Sequence, residues 1–283
     1  MKTAIVTGAG AGIGRATAER YGGKGWRVIV TDINEITGSE TAQLISRRGG
    51  TSEFRKVDSS SLEEMESFAD WVCAEYGAPD LVVNNAGILI GGGFLEQTGA
   101  DWRRMITVNM MGPIIGSRLF VERMVTAGAK GHIVNVASCG AFLPTPLAPS
   151  YVTAKAGVLL ASSALRSEFG KQGIGVTAIC PGLIRTDLAA NGHRAGDDDA
   201  EGWATNLGAA QRFAWRSPKR VAVAIERSVR WNLATVPVGW EAWAAWYIFR
   251  LSPGVMRALT AQVRMPLADK FAAVSGKILG AQR

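Results

Sequence analysis

Ser138 closes an apolar run, Tyr151 follows thirteen residues later, and Lys155 lies four beyond that. Residues four apart share a helix face, so the phenol and the amine of "SYVTAKAGVLLASSAL" stand side by side. A phenol with a pKa of about 10 is a poor base at neutral pH. A neighbouring ammonium is expected to favour the phenolate and lower that value. Such a pair takes a proton from an alcohol or returns one to a carbonyl. The Ser138 hydroxyl would steady the oxygen on which charge develops. Hydrolysis fits less well, because Ser138 sits in no GxSxG elbow and has no suitably placed histidine. Taken singly, a Tyr at a helix start is commonly a core residue and a Lys one turn on is commonly solvated.

A second cluster lies near Met1. "TGAGAGIG" places Gly8, Gly10, Gly12, Ile13 and Gly14 between an apolar run and a helical pattern. Glycine weakens regular structure, so the run needs a local reason. In this context glycines permit a tight turn and bring backbone N–H groups and a helix N-terminus against a dinucleotide pyrophosphate. Asp32 ends the next apolar run, about twenty residues on, where an acid accepts hydrogen bonds from the adenosine ribose. A carboxylate there repels a 2′-phosphate and residue 11 is Ala, so NAD is expected over NADP. A flexible turn and a helix-capping acid are the plainer alternatives. With a dinucleotide in place, Tyr151 would move the proton that accompanies hydride transfer.

Alternating segments position these groups. Residues 3–7, 27–31, 52–57, 80–84, 131–137 and 174–180 read as strands. Residues 13–23, 35–48, 61–76, 98–127 and 150–170 read as helices between them. β-Branched runs separated by helices predict a doubly wound parallel sheet, Rossmann-like, of about seven strands with helices on both faces. Ser217 and Pro218 read as the cap and first position of another helix. Residues 234–238 read as a last edge strand, since Pro237 is tolerated only at an edge. The polar, poorly periodic stretch 187–215 reads as a mobile substrate segment. The expected organisation is one catalytic domain over 1–239 with a helical extension, 240–283, belonging to it.

Composition removes several classes. The 283 residues are 47% apolar and 19% charged, as in a folded soluble protein. No stretch approaches the roughly 18–20 apolar residues of a membrane span. With the glycine loop so soon after Met1, no cleaved leader is expected. Cys73, Cys139 and Cys180 form no disulfide framework, and His132 and His193 are too few for a usual metal site. A reducing cytoplasm is the expected compartment. The net charge of +7 is concentrated after residue 215, where eleven basic residues face three acidic ones. No nucleic-acid module accompanies that tail, and no nucleic-acid partner is expected.

The chain resembles the short-chain dehydrogenase/reductases. The resemblance rests on "TGAGAGIG" as the TGxxxGxG loop, "NNAG" at 84–87, Asn109 in "VNMMG", Ser138, "YVTAK" as YxxxK, and "PGLIRT" at 181–186. It covers residues 2–190 in the family's order. It implies that Asp58 contacts the adenine side and that Asn85 and Gly87 border the adenosine ribose and pyrophosphate. It implies that Asn109 holds a water in a proton relay through Lys155. Pro181, Gly182, Ile184 and Thr186 would flank the nicotinamide, and Tyr151 and Lys155 would grip its ribose. It further implies a homodimer or homotetramer, with helices 98–127 and 150–170 packing between subunits. The long C-terminal stretch departs from the family and puts its usual tetramer in doubt.

An apolar rim of Cys139, Ala141, Phe142, Leu143 and Leu147, with Trp203 in the mobile segment, predicts a hydrophobic secondary alcohol or its ketone, such as a lipid, steroid or terpenoid. Reduction of 3-oxoacyl thioesters is an alternative that Asp32 disfavours, since NADPH is its commoner donor. A noncatalytic nucleotide-binding or membrane-associated protein that keeps the fold is another. Six of the nine tryptophans follow residue 200. The stretch 240–264, with "AWAAWYIF" and flanking arginines, fits an interfacial helix on an anionic membrane. It also fits a helix packed over the cleft or against another subunit, the more ordinary arrangement.

Overall fold

The computed structural model describes residues 1–185, 188, 192–195 and 216–262. Seven parallel strands form one sheet in the order β3-β2-β1-β4-β6-β7-β9. They are β1 (Thr3–Thr7), β2 (Arg27–Asp32), β3 (Thr51–Lys56), β4 (Leu81–Asn84), β6 (Gly131–Val136), β7 (Ile174–Pro181) and β9 (Thr235–Val238). β5 (Ile90–Gly91) and β8 (His193–Arg194) pair separately as a short parallel ladder. The helices are α1 (Gly12–Gly22), α2 (Glu35–Arg47), α3 (Leu62–Tyr76), α4 (Gly99–Ile106), α5 (Gly112–Thr126) and α6 (Pro149–Phe169). After β8 come α7 (Pro218–Trp231), α8 (Trp240–Leu251) and α9 (Pro253–Ala261). β9 is the edge strand that Pro237 requires, and Ser217 and Pro218 start α7.

Alternation along the strands creates two cores. Ala4, Val6, Val28, Val30 and Val83 face Ala18, Tyr21 and Ile225 on one side of the sheet. Ile5, Ile29, Val82 and Ile133 face Met65, Phe68 and Phe120 on the other. Burying each such side chain contributes about 1.5–3 kcal/mol before the entropy of ordering is subtracted. Parallel strands covered on both faces send every strand's C-terminal end to one edge. Strand order reverses there between β1 and β4, which opens a crevice for a ligand.

The long helical region 98–127 is not continuous. Thr98 starts α4 with a capping box shared with Asp101. The helix then loosens into a π segment, Thr107–Met111, whose end is marked by the Gly112 N–H bonding to the Thr107 carbonyl. α5 follows directly. Residues of such widened turns are frequent at functional sites, and Asn109 lies at the centre of this one.

Candidate active site

The glycine loop joins β1 to α1 at the crevice. Gly8 has φ +60°, and a Cβ there would lie 2.7 Å from the Ala86 backbone. A Cβ on Gly14 would lie 2.2 Å from the Gly8 carbonyl oxygen. The turn therefore closes only with hydrogen at these positions. α1 starts at Ala11 without a side-chain cap, so its first N–H groups remain available to an anion. This cradle fits a dinucleotide phosphate. Ile13 packs into the core below.

Two residues hold the loop in place. Asp32 Oδ2 accepts the Gly10 N–H at 2.8 Å and Oδ1 accepts the Asn34 N–H at 2.9 Å. The Asn85 amide donates to the Thr7 and Gly8 carbonyls, each at 3.0 Å. Asn85 thus spends its donors on the loop itself. Asp58 shapes the turn after β3: its carboxylate accepts from Ser60 N–H at 2.9 Å and Ser60 Oγ at 2.6 Å.

Ser138, Tyr151 and Lys155 converge where β6 ends and α6 begins. Ser138 caps a 3₁₀ turn, Cys139–Phe142, through the Gly140 N–H at 3.0 Å. Its hydroxyl also stands close enough to Tyr151 to act on the phenol. Lys155 is 4% exposed and donates to the Val136 carbonyl at 2.9 Å. Its Nζ stands 5.8 Å from the centre of the Tyr151 ring. The expected lowering of the Tyr151 pKa is not what this arrangement produces. Burial pushes the phenol up to about 12, against a downward pull from the Ser138 hydroxyl. The ammonium is held on the Val136 carbonyl beside the ring. Burial likewise pushes Lys155 down to about 8. The Tyr151 hydroxyl therefore keeps its proton at neutral pH.

Asn109 is fully buried, and its side chain grips the chain after β4 from both ends. Oδ1 accepts the Ile88 N–H at 3.0 Å, and Nδ2 donates to the Ile88 carbonyl at 2.9 Å. Gly87 fills the gap between Asn109 and Lys155: a Cβ there would lie 2.6 Å from Asn109 Oδ1 and 3.6 Å from Lys155 Nζ. The π segment, the NNAG turn and the lysine are therefore fitted to one another. Beneath them runs a buried chain of polar groups that the sequence reading did not identify. Asn84 Nδ2 donates to Asn135 Oδ1 at 2.8 Å, and Asn135 Nδ2 donates to Ser162 Oγ at 3.0 Å. It ties β4, β6 and α6 together below the reactive groups.

The substrate-side expectations divide. Phe142 is only 2% exposed and packs against Phe249 of α8, with ring centres 6.3 Å apart. It supports the wall and does not line an open rim, because α8 covers the 3₁₀ turn from behind. Cys139 and Leu143 remain half-buried. Ile184 points into the core at 5% exposure. Pro181 ends β7, and the Gly182 N–H donates to the Val238 carbonyl at 2.9 Å. Thr186, Trp203 and nearly all of 187–215 lie outside the described residues. Among the described residues, no His, Cys, Asp or Glu group is arranged to hold a metal ion.

A glycine cradle and the Ser138, Tyr151 and Lys155 cluster thus lie on one edge of a doubly wound sheet. The short-chain dehydrogenase model matches residues 2–195, and the chain belongs to that family. Probable oxidoreductase EphD of Mycobacterium tuberculosis is 41% identical over 264 residues, covering 92% of this chain and 44% of the relative. The chain thus spans less than half the length of that protein. Putative oxidoreductase SadH of the same organism is 31% identical over 262 residues, 92% of this chain and 94% of the relative. Among solved structures, a short-chain dehydrogenase/reductase from Burkholderia phymatum in complex with NAD superposes with a TM-score of 0.78 at 26% identity. It covers 83% of this chain and 88% of that one.

Proposed function

We propose that this chain is an NAD-dependent oxidoreductase acting between a hydrophobic secondary alcohol and its ketone. The observation that carries this reading is the meeting of Ser138, Tyr151 and Lys155 beside Gly87, across the crevice from the glycine cradle. Gly8, Gly12, Ile13 and Gly14 would hold the pyrophosphate, Asp32 the adenosine ribose, and the Pro181–Ile184 backbone the nicotinamide side. When bound, NAD accepts the hydride that oxidation releases, and its reduced form gives it back. In the reducing direction the Tyr151 hydroxyl donates its proton to the carbonyl oxygen while Ser138 hydrogen-bonds that oxygen. Lys155, held on the Val136 carbonyl beside the phenol ring, would grip the nicotinamide ribose together with Tyr151. Asn109 spends its side chain on Ile88, so its part in a relay falls to its main chain.

Apolar groups around the crevice support a hydrophobic substrate. Leu183 is 65% exposed at the end of β7. The Gly92 N–H donates to the Leu147 carbonyl at 3.0 Å, which joins the 92–95 loop to the rim. The extension from residue 240 belongs to the same domain on this reading, since Ala245, Met256 and Phe142 share one apolar cluster. Exposed Met111, Val125 and Leu160 on α5, its lead-in and α6 support self-association through those helices. The outer stripe of α8 supports contact with an anionic membrane surface: Trp240, Trp243, Tyr247 and Leu251 are exposed there, and residues 242–262 carry Arg250 and Arg257 but no acid. No helix among the described residues is long and apolar enough to cross a membrane.

The test is NADH formation from NAD with secondary alcohols graded from short to steroid-sized. Turnover confined to bulky apolar members is the expected result. Turnover of short charged hydroxy acids alone would overturn the substrate class, and failure to bind NADH would overturn the whole reading.

A further inference from the structure

We propose that Glu241, in the first turn of α8, and Arg216 are positioning residues for the nicotinamide half of the dinucleotide site. This rests on the NAD reading above. It gives the C-terminal extension a part in the reaction centre that the family's motifs do not assign.

The segment after β7 leaves the sheet at the reactive edge, and three remote pieces of chain fix it. The Gly182 N–H donates to the Val238 carbonyl at 2.9 Å, and the Arg185 N–H donates to the Arg216 carbonyl at 3.0 Å. Ile184 pairs with Arg216 as an isolated parallel bridge. Between these backbone ties, the Leu183 N–H donates to Glu241 Oε1 at 3.0 Å. Arg216 Nη1 donates to Glu241 Oε2 at 2.6 Å and also contacts Oε1. Arg216 is 5% exposed, so this pair is largely removed from water.

Two glycines make room for it. A Cβ on Gly182 would lie 2.2 Å from Glu241 Oε1. Gly239 has φ +116°, and its Cβ would lie 2.8 Å from both Arg216 Nη1 and Glu241 Oε1. The glycine of the "PG" pair therefore admits a carboxylate from the extension. A buried ion pair is a weak source of net stability. Its effect here is geometric: one carboxylate fixes a backbone N–H of the loop and the side chain of a second strap at the same time. The adenine side of the crevice, built on β1, β2 and α1, takes part in none of these contacts.

Glu241→Gln keeps an acceptor for Leu183 but loses the charge opposite Arg216, and Glu241→Ala loses both. The experiment measures the binding of NADH and of ADP-ribose, which lacks the nicotinamide, to wild type and both variants, with kcat on the best alcohol. The expected result is NADH binding weakened roughly tenfold, as for one misplaced charge-assisted bond. ADP-ribose binding should be unchanged, kcat should fall, and Glu241→Gln should be the milder variant. Equal weakening of both ligands would mean a general structural role and overturn the proposal, as would unchanged binding of both. Wild type that binds ADP-ribose but gains nothing from the nicotinamide would overturn it as well. Wild type that binds neither ligand would instead remove the NAD reading and this inference with it. If Glu241→Ala fails to fold, Glu241→Gln still decides.

Discussion

Tyr151 stands beside Ser138 and has its proton affinity raised by burial, to a pKa of about 12. The ordinary phenol value is about 10. In the proposed reaction this makes Tyr151 a proton donor first. Ketone reduction should run level through neutral pH and decline only in the alkaline range. Alcohol oxidation, which needs the proton removed, should rise with pH over the same span. Tyr151→Phe keeps the ring under Lys155 and deletes the donor. Turnover should drop by about 10²–10⁴-fold, with NADH binding close to that of wild type. A variant that retains turnover would remove Tyr151 from the proton path. The residue types and their spacing made this cluster legible in advance. The direction of the pKa shift was not legible, because it depends on what covers the phenol and where the ammonium turns.

At the scale of the element, α8 presents an inner and an outer face of unequal character. Ala242 and Ala245 are small, so the helix sits close on the 3₁₀ turn behind Ser138, and Phe249 reaches Phe142. Outward, Trp243 stacks with Tyr247 at 5.9 Å, and Arg250 lies 5.0 Å from the Trp246 ring centre. Aromatic rings beside arginines are the side chains that settle at a lipid headgroup layer. Replacing Trp243 and Tyr247 together with Ser should cut sedimentation with anionic phosphatidylglycerol vesicles about tenfold and leave soluble-substrate turnover intact. Unchanged sedimentation, or a change in oligomeric state with no vesicle binding at all, would assign the stripe to another contact. The periodicity of 242–249 announced a helix. Which of its faces is free depended on the 3₁₀ turn, about a hundred residues earlier, coming to lie beneath it.

For the molecule as a whole, His132 links fold and pH. It is 6% exposed on β6, with Nε2 at 2.8 Å from Thr177 Oγ1 on β7. Burial, helped by the nearby Arg166, pushes its pKa down to about 4. In the unfolded chain the value is about 6.5. Between these values the unfolded state binds more protons, so stability rises with pH across that window and is lost as pH falls through it. The loss amounts to about 3 kcal/mol by the time both states are charged. His132→Gln should flatten the fall in Tm between pH 6.5 and pH 4 in thermal melts. Glu226, also held below its ordinary value, keeps its own acid dependence in both proteins. An identical slope in wild type and variant would show that His132 is not the coupled group.

Chain order and local chemistry by themselves determined the doubly wound sheet, the glycine turn, the edge position of Pro237 and the Ser138–Tyr151–Lys155 spacing. Each of these depends on residues within a turn or two of one another, or on a period that repeats along one element. The two-residue pairing of β5 with β8 carries no such period, and the π segment hides inside a region that reads as plain helix. Only the tertiary structure decided that Phe142 is wall and not rim, that Asn85 and Asn109 spend their amides on backbone, and that Glu241 closes on Leu183 and Arg216. These contacts join residues 21 to 107 positions apart. No local pattern encodes them. They arise when parallel strands bring every C-terminal end to one edge, and burial there leaves each polar group to find its partner among whatever chain arrives beside it.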